Sequence, residues 1–402
     1  MDKESIGEIR GIAEGQNIES NMENVLSEKL KEFPDGQSYQ KKVHDMKLLT
    51  QIYDNYKKRD LTRDELTFLY EIDDNISGFG YKDDPRIAEI KNERDKRKDL
   101  SFVFDCLPSQ IGFTKEELYN NQLVYYEGSI FLYDYNELIE HNIQLPKYIS
   151  GSLCLDFLTS AEGLVLPKSI GGFLYLQHLK SAEGLVLPQR VGEDLLLNSL
   201  TLADGLVFPQ NVGGDLRLYC LESAEGLVLP KYIGGSLYLD GLTNTNGLVL
   251  PQSVGGNLRL DGLESAENLV FPKYIGGSLH LDGLTDANGL ILPQSIEVDL
   301  SLSSLLYADN LILPKYIHRG YLMLDSLTSL IGLNLPQTVG AFIFYNGNEY
   351  SLEEIKQIQQ EEINRERENY NRKGFTIGIY TITFVLIVCI ISVIMGLLFL
   401  NK

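Results

Sequence analysis

From about residue 126 to 345 the chain repeats itself every 21 residues, and this period restricts its fold more than any other feature. Two copies read LPKYIGGSLYLDGLTNTNGLVL, from Leu229 to Leu250, and FPKYIGGSLHLDGLTDANGLIL, from Phe271 to Leu292. Ten of the thirteen prolines mark the period, at 146, 167, 188, 209, 230, 251, 272, 293, 314 and 336; every interval is 21 except the last, which is 22. Such a period is the signature of a solenoid, in which each turn rests on its neighbours. One turn carries about six apolar side chains, too few to offset the entropy of ordering it alone. The turns must therefore share a core and pair their strands, and both ends must be capped.

The unit reads L-P-x-x-[IV]-G-G-x-L-x-L-x-x-L-x-x-A-x-G-L-x. Alternation at Leu237 and Leu239 predicts a strand with both leucines inward, followed by Leu242 after a bend. A second apolar pair, as at Leu248 and Leu250, predicts another extended edge that ends at proline, which has no N–H for a ladder. The Gly-Gly pairs, such as 234–235, mark corners where side chains would clash or positive φ is needed. From Pro209 to Pro293 alternate turns differ, PKYI with GGSL[YH] and PQ[SN]V with GG[ND]LR, which gives a 42-residue double period.

The flanks complete the division of the chain. Residues 1–16 read as disordered, and 17–125 as a helical N-terminal module that caps the array. Thr62 with Glu65, Asp84 before Pro85, and Thr114 with Glu117 are helix starts. SFVFD at 101–105 and LVYYEG at 123–128 read as strands. The solenoid covers 126–349, and 350–373 is a polar, solvated spacer helix opened by Ser351 and Glu354. From Phe375 to Leu400 there are 26 residues without a charge. A helix of that length spans roughly 39 Å, enough to cross a bilayer core, so 375–400 is expected to be a transmembrane anchor. Lys356, Arg365, Arg367, Arg372 and Lys373 precede it and only Lys402 follows, which places the N-terminal bulk in the cytoplasm of a single-pass, tail-anchored protein at the cell membrane. The alternative puts that bulk outside. Gly374-x-x-x-Gly378 offers a route to a homo-oligomer through this helix.

Two resemblances add to this reading. LTRDELTFLYEIDDNISGFGYKDDPRIAEIKNERDKRKDLSFVFD, residues 61–105, is similar to a module found ahead of related repeats in uncharacterised proteins of candidate-phylum bacteria, through the words FLYEID, GFGY and DPRI. That family carries no assigned activity. L-x-L-x-x-L resembles leucine-rich repeats, and L-x-L-P-x-x-[IV] resembles their bacterial surface-antigen variant. The asparagine ladder of leucine-rich repeats is missing, because Leu242 and its equivalents stand in that place. The expected fold is therefore α+β: a helical module, a leucine-rich-repeat-like β-solenoid of about ten turns and a C-terminal transmembrane helix. A straighter parallel β-helix is the alternative to the leucine-rich form.

Function is constrained mainly by exclusion. With 35 Lys and Arg against 56 Asp and Glu, the net charge of −21 argues against a nucleic-acid partner. No nucleophile, phosphate-loop or zinc-protease motif occurs, and the five histidines are scattered, so neither catalysis, a cofactor nor a metal is expected. Strand alternation points Tyr175 and, two turns on, Arg217, Tyr238, Arg259 and His280 in successive turns outward, followed on the same face by Asp240, Asp261 and Asp282. Tyr and Arg are enriched at binding hot spots, so this row is the expected contact with a protein ligand. The resulting expectation is a non-enzymatic, membrane-tethered repeat scaffold. Its alternatives are a cell-surface recognition or adhesion protein and a purely structural spacer.

Overall fold

In a computed structural model, which describes residues 28–30, 36–80, 83–120, 122–132, 144–308 and 311–370, the period becomes a parallel β-solenoid. Counting each proline as position 1, positions 3–4 form one short strand and positions 8–9 the next, as in Tyr232–Ile233 and Leu237–Tyr238. Each strand pairs in parallel and in register with its counterparts one turn away: Leu216 with Leu237, and Leu237 with Leu258. The first sheet has nine strands, from Ile111–Gly112 to Tyr274–Ile275. The second has twelve, from Ile130–Phe131 to Asn348–Tyr350, and only that last strand is antiparallel. Leu237, Leu239 and Leu242 are fully buried, and the same three leucines of the neighbouring turns stack above and below them in one core.

A polar ladder holds the corner between the two sheets. At position 7 the side-chain oxygen of one turn accepts the backbone N–H of position 7 in the next. Asp215 Oδ1 takes Ser236 N at 2.8 Å, Ser236 Oγ takes Asn257 N at 2.9 Å, and Asn257 Oδ1 takes Ser278 N at 2.8 Å. This satisfies a donor that the bend removes from the strand ladder. It also explains the second glycine of each pair: a Cβ on Gly235 or Gly256 would collide with the Asp215 or Ser236 oxygen of the turn before. The first glycine, as at Gly234, sits against the carbonyl of its own counterpart, Gly213. Steric clash is thus the reason for Gly-Gly, and positive φ belongs to another glycine. Gly247 has φ 73°, and Leu248 N donates to Thr245 O, as a type II turn requires at its third residue.

Where both corner glycines are lost, the first sheet parts but the polar ladder does not: Ser278 Oγ accepts Asp299 N at 3.2 Å and Asp299 Oδ1 accepts Tyr321 N at 2.8 Å. Turn eight carries Glu297-Val298 instead, and the first sheet stops at Tyr274–Ile275. A separate three-stranded sheet begins at Ser295–Ile296. The second sheet continues through the same turn, Leu279 pairing with Leu300.

The helical module comprises α1 (Gly36–Asn55), α2 (Arg63–Leu69), α3 (Pro85–Asn92), α4 (Lys96–Phe104) and α5 (Lys115–Asn120). Thr62 and Glu65 close a reciprocal capping box, and Asp84 caps α3 with Pro85 at its first position. SFVFD is not a strand: Asp95 accepts from Lys98 N and starts α4 upstream, so the alternating apolar residues fall inside a helix already under way. The module core of Leu49, Ile52, Leu69, Ile90 and Leu100 includes Ile111 and Tyr125, which also begin the first sheet. Through those two residues the module is continuous with the stack. At the other end α6, residues 352–370, lies across the last turn: Ile355 is fully buried, and Glu362 accepts from Ser329 Oγ, Leu330 N and Tyr345 OH.

The transmembrane expectation is corrected. Residues 375–400 lie outside the described residues, as do 1–16, and among the described residues no helix is long and apolar enough to cross a membrane. The described residues accordingly form an α+β β-solenoid. The bilayer as partner, single-pass anchoring at the cell membrane in either orientation, and an oligomer through that helix are withdrawn with it.

Asn257→Ala is expected to leave the buried Ser278 N–H without an acceptor, lowering stability by about 1–3 kcal/mol, whereas Asn257→Asp keeps the acceptor. Urea unfolding followed by circular dichroism measures both; an unchanged midpoint for the alanine variant would contradict the ladder.

Candidate functional site

The outward positions of the second sheet form a half-buried row rather than a freely solvated one, because each side chain leans on the next. Parallel in-register pairing puts position 9 of one turn beside position 9 of the next, so like positions stack. Tyr175 stacks on Phe173 with ring centroids 4.1 Å apart, and Phe173 in turn meets Phe131. Arg217 holds Asp215 at 2.9 Å and lies over the Tyr238 ring, whose other neighbour is Tyr219 at 5.1 Å. Arg259 bridges two turns, reaching Asp261 at 2.6 Å and Asp240 at 3.0 Å. Further on, Asp261 accepts Asp282 N, and Asp282 accepts both Ser301 Oγ and Ser303 N.

The structure therefore brings together all eight residues expected from the sequence, Tyr175, Arg217, Tyr238, Arg259, His280, Asp240, Asp261 and Asp282, on one continuous face. Sequence alternation missed Phe131, Phe173 and Tyr219. These occupy positions 7 and 11 or the entry strand, and a search for aromatic substitutions at polar ladder positions of the period would have found them. The face also concentrates unsatisfied groups. Among the described residues the buried side-chain atoms without a hydrogen-bond partner are Asn198 Oδ1, Arg217 Nε and Asp240 Oδ2, which fall on three successive turns of this row.

Electrostatics singles out Asp240. Burial raises its pKa above the ordinary carboxylate value, and the nearby Asp261 charge adds to that; Arg259 opposes both without overcoming them. Burial likewise raises the Tyr175 and Tyr219 hydroxyls. Ligand atoms of Asp261, His280 and Asp282 lie within 4.8 Å of one another, a spacing a metal ion accepts. The Arg259 guanidinium already neutralises Asp261, and Asp282 Oδ1 already accepts two hydrogen bonds, so the geometry does not single out a metal role.

A second concave region lies between the helical module and the first sheet. The module is tied there by Arg190 to Asn75 at 2.7 Å and by Phe104 against Tyr148 at 4.4 Å. Beside this junction opens a cleft of about 1430 Å³ bordered by Lys41, Asn75, Arg190 and Tyr232, and a smaller cavity of about 250 Å³ reached by Lys91 and Lys96.

Fold and face together define a repeat protein of the parallel β-solenoid class. Compared with protein-family models, with curated proteins and with solved structures, the chain matches none.

The Asp240 shift carries a sign. A carboxyl whose folded pKa is raised contributes stability that is complete below its ordinary value of 3.8 and is lost as pH rises through the folded value. Asp240→Asn removes that loss, so the variant is expected to gain stability relative to the native chain between about pH 4 and pH 7. Urea midpoints at the two pH values test this; a variant that loses ground towards neutral pH would mean that the Arg259 ion pair dominates.

Proposed function

We propose that the protein is a non-enzymatic recognition scaffold that binds a protein partner along the outward row of its second sheet. The observation that carries this reading is the coincidence of two features on turns three to five. Tyr219, Tyr238 and Arg217 form an aromatic–guanidinium cluster there, and the three unsatisfied buried polar atoms lie in the same place. Buried polar groups are normally paired, and Tyr and Arg dominate binding hot spots, so a partner that supplies both hydrogen bonds and apolar contact matches this surface. The row is held by strand pairing on both sides, which reduces the ordering cost of binding. Kinship with leucine-rich repeats and with the repeat proteins of candidate-phylum bacteria belongs to this proposal, on the strength of the motifs alone.

A structural spacer is the second reading. It is favoured by the saturation of the row further along, where Ser301, Ser303 and Asp282 satisfy one another without any partner.

The full chain carrying Tyr238→Ala, Arg259→Gln and His280→Ala together separates the two readings. Proximity labelling in cells, compared with the native chain at equal abundance and equal melting temperature, is expected to lose its main protein neighbours at least tenfold. An unchanged neighbour profile would support the spacer.

A further inference from the structure

One column of the solenoid breaks the rule that alternation sends polar residues outward. Position 20 is occupied by a branched aliphatic side chain in eight successive turns, from Val165 to Ile312, each 66–81% exposed. At one turn per ~4.8 Å the stripe is roughly 34 Å long. It ends on polar residues in the same column, Gln144 before it and Asn334 after it, both exposed. Scattered exposed valines need no explanation, but a continuous row bounded by polar ends marks a contact surface.

The flanks of the stripe differ in charge. On one side, at the turn formed by positions 17 and 18, exposed acids recur, among them Glu162, Glu225 and Glu267. On the other, at the bend after proline, position 2 is Lys or Gln, with Lys168, Lys231 and Lys273 exposed. Glu225 and Lys231 stand on opposite sides of Val228, and Glu267 and Lys273 on opposite sides of Val270. Each acid sits in the turn and its lysine lies beyond an extended segment, and no ion pair joins Glu225 to Lys231 or Glu267 to Lys273 among the described residues.

We infer that this stripe is the seam of a homodimer in which two solenoids pack side by side with their axes parallel. A two-fold axis along the stripe exchanges left and right. It sets the acidic flank of each copy over the lysine flank of the other and each stripe residue opposite its own counterpart. A two-fold axis across the stripe does the reverse: the solenoids run antiparallel, acid faces acid and lysine faces lysine. Charge complementarity therefore selects the parallel arrangement. Val186 and Val207 also edge the cleft beside the helical module, so the unobstructed part of the seam runs from Val228 onward. The seam lies on a different side of the turn from the outward row of the second sheet, and leaves that row open in both copies.

Disulfide trapping of the full chain tests the arrangement. Val228→Cys, Val270→Cys and Ile312→Cys are introduced singly into a Cys220→Ser background, with that background as the blank, since Cys220 is the exposed thiol among the described residues. All three are solvent-facing, so none disturbs the core. The parallel seam predicts a covalent dimer from each of the three under mild oxidation. It also predicts that Val228→Glu with Val270→Glu halves the mass found by sedimentation. Trapping at one position only indicates an antiparallel pair and overturns the arrangement. Trapping at none, with an unchanged mass for the double glutamate variant, overturns self-association and leaves the stripe to a different partner.

Discussion

The structure depends on a hydrogen bond that crosses from one turn to the next at the corner between the two sheets. Strands of two residues are too short to hold a sheet by themselves, and a bend ordinarily strands the N–H groups it passes through. In most turns Ser, Asp or Asn at position 7 takes up that N–H for the following turn, and the strands on both sides keep their register. The interaction requires space, which the Gly-Gly pair provides. At Glu297-Val298 the first sheet divides, while the position-7 bond, from Asp299 N to Ser278 Oγ at 3.2 Å, and the second sheet both continue.

That constraint has consequences on every side of the turn. Because each residue stacks on its equivalent, the core becomes three columns of leucine and the outer surface becomes columns as well. A column can be varied along its length, as in the second-sheet row, which reads Tyr175, Leu196, Arg217, Tyr238, Arg259, His280 and Ser301 in successive turns. It can also be held constant, as in the valine stripe. The varied column suits recognition of a dissimilar partner. The constant one suits a second copy, where each residue meets itself.

Much of this was legible in the residues. The prolines gave the turns, Leu237 and Leu239 gave the buried face, and the outward row followed from alternation. The capping residues Thr62, Asp84 and Ser351 start helices where they were expected. What escaped notice did so for physical reasons. The position-7 ladder mixes Ser, Asp and Asn, so no single letter repeats along the period. SFVFD alternates like a strand, yet its backbone is committed to a helix by the Asp95 cap several residues earlier. The valine stripe sits between two leucines, where an apolar run reads as core and only the fold shows which member faces out. The expected membrane helix rested on hydropathy in a stretch beyond the described residues, and no described helix takes its place.

Amide hydrogen exchange on the full chain tests the turn-to-turn ladder most directly. The account predicts strong, continuous protection of position-8 and position-10 amides in the second sheet from Leu153 to Tyr345. It also predicts an interruption confined to the first sheet between Ile275 and Ser295. Position-7 amides from Asn257 to Tyr321 are expected to stay protected through that turn, and their free exchange beside protected strand amides would contradict the ladder as the element that holds the solenoid together.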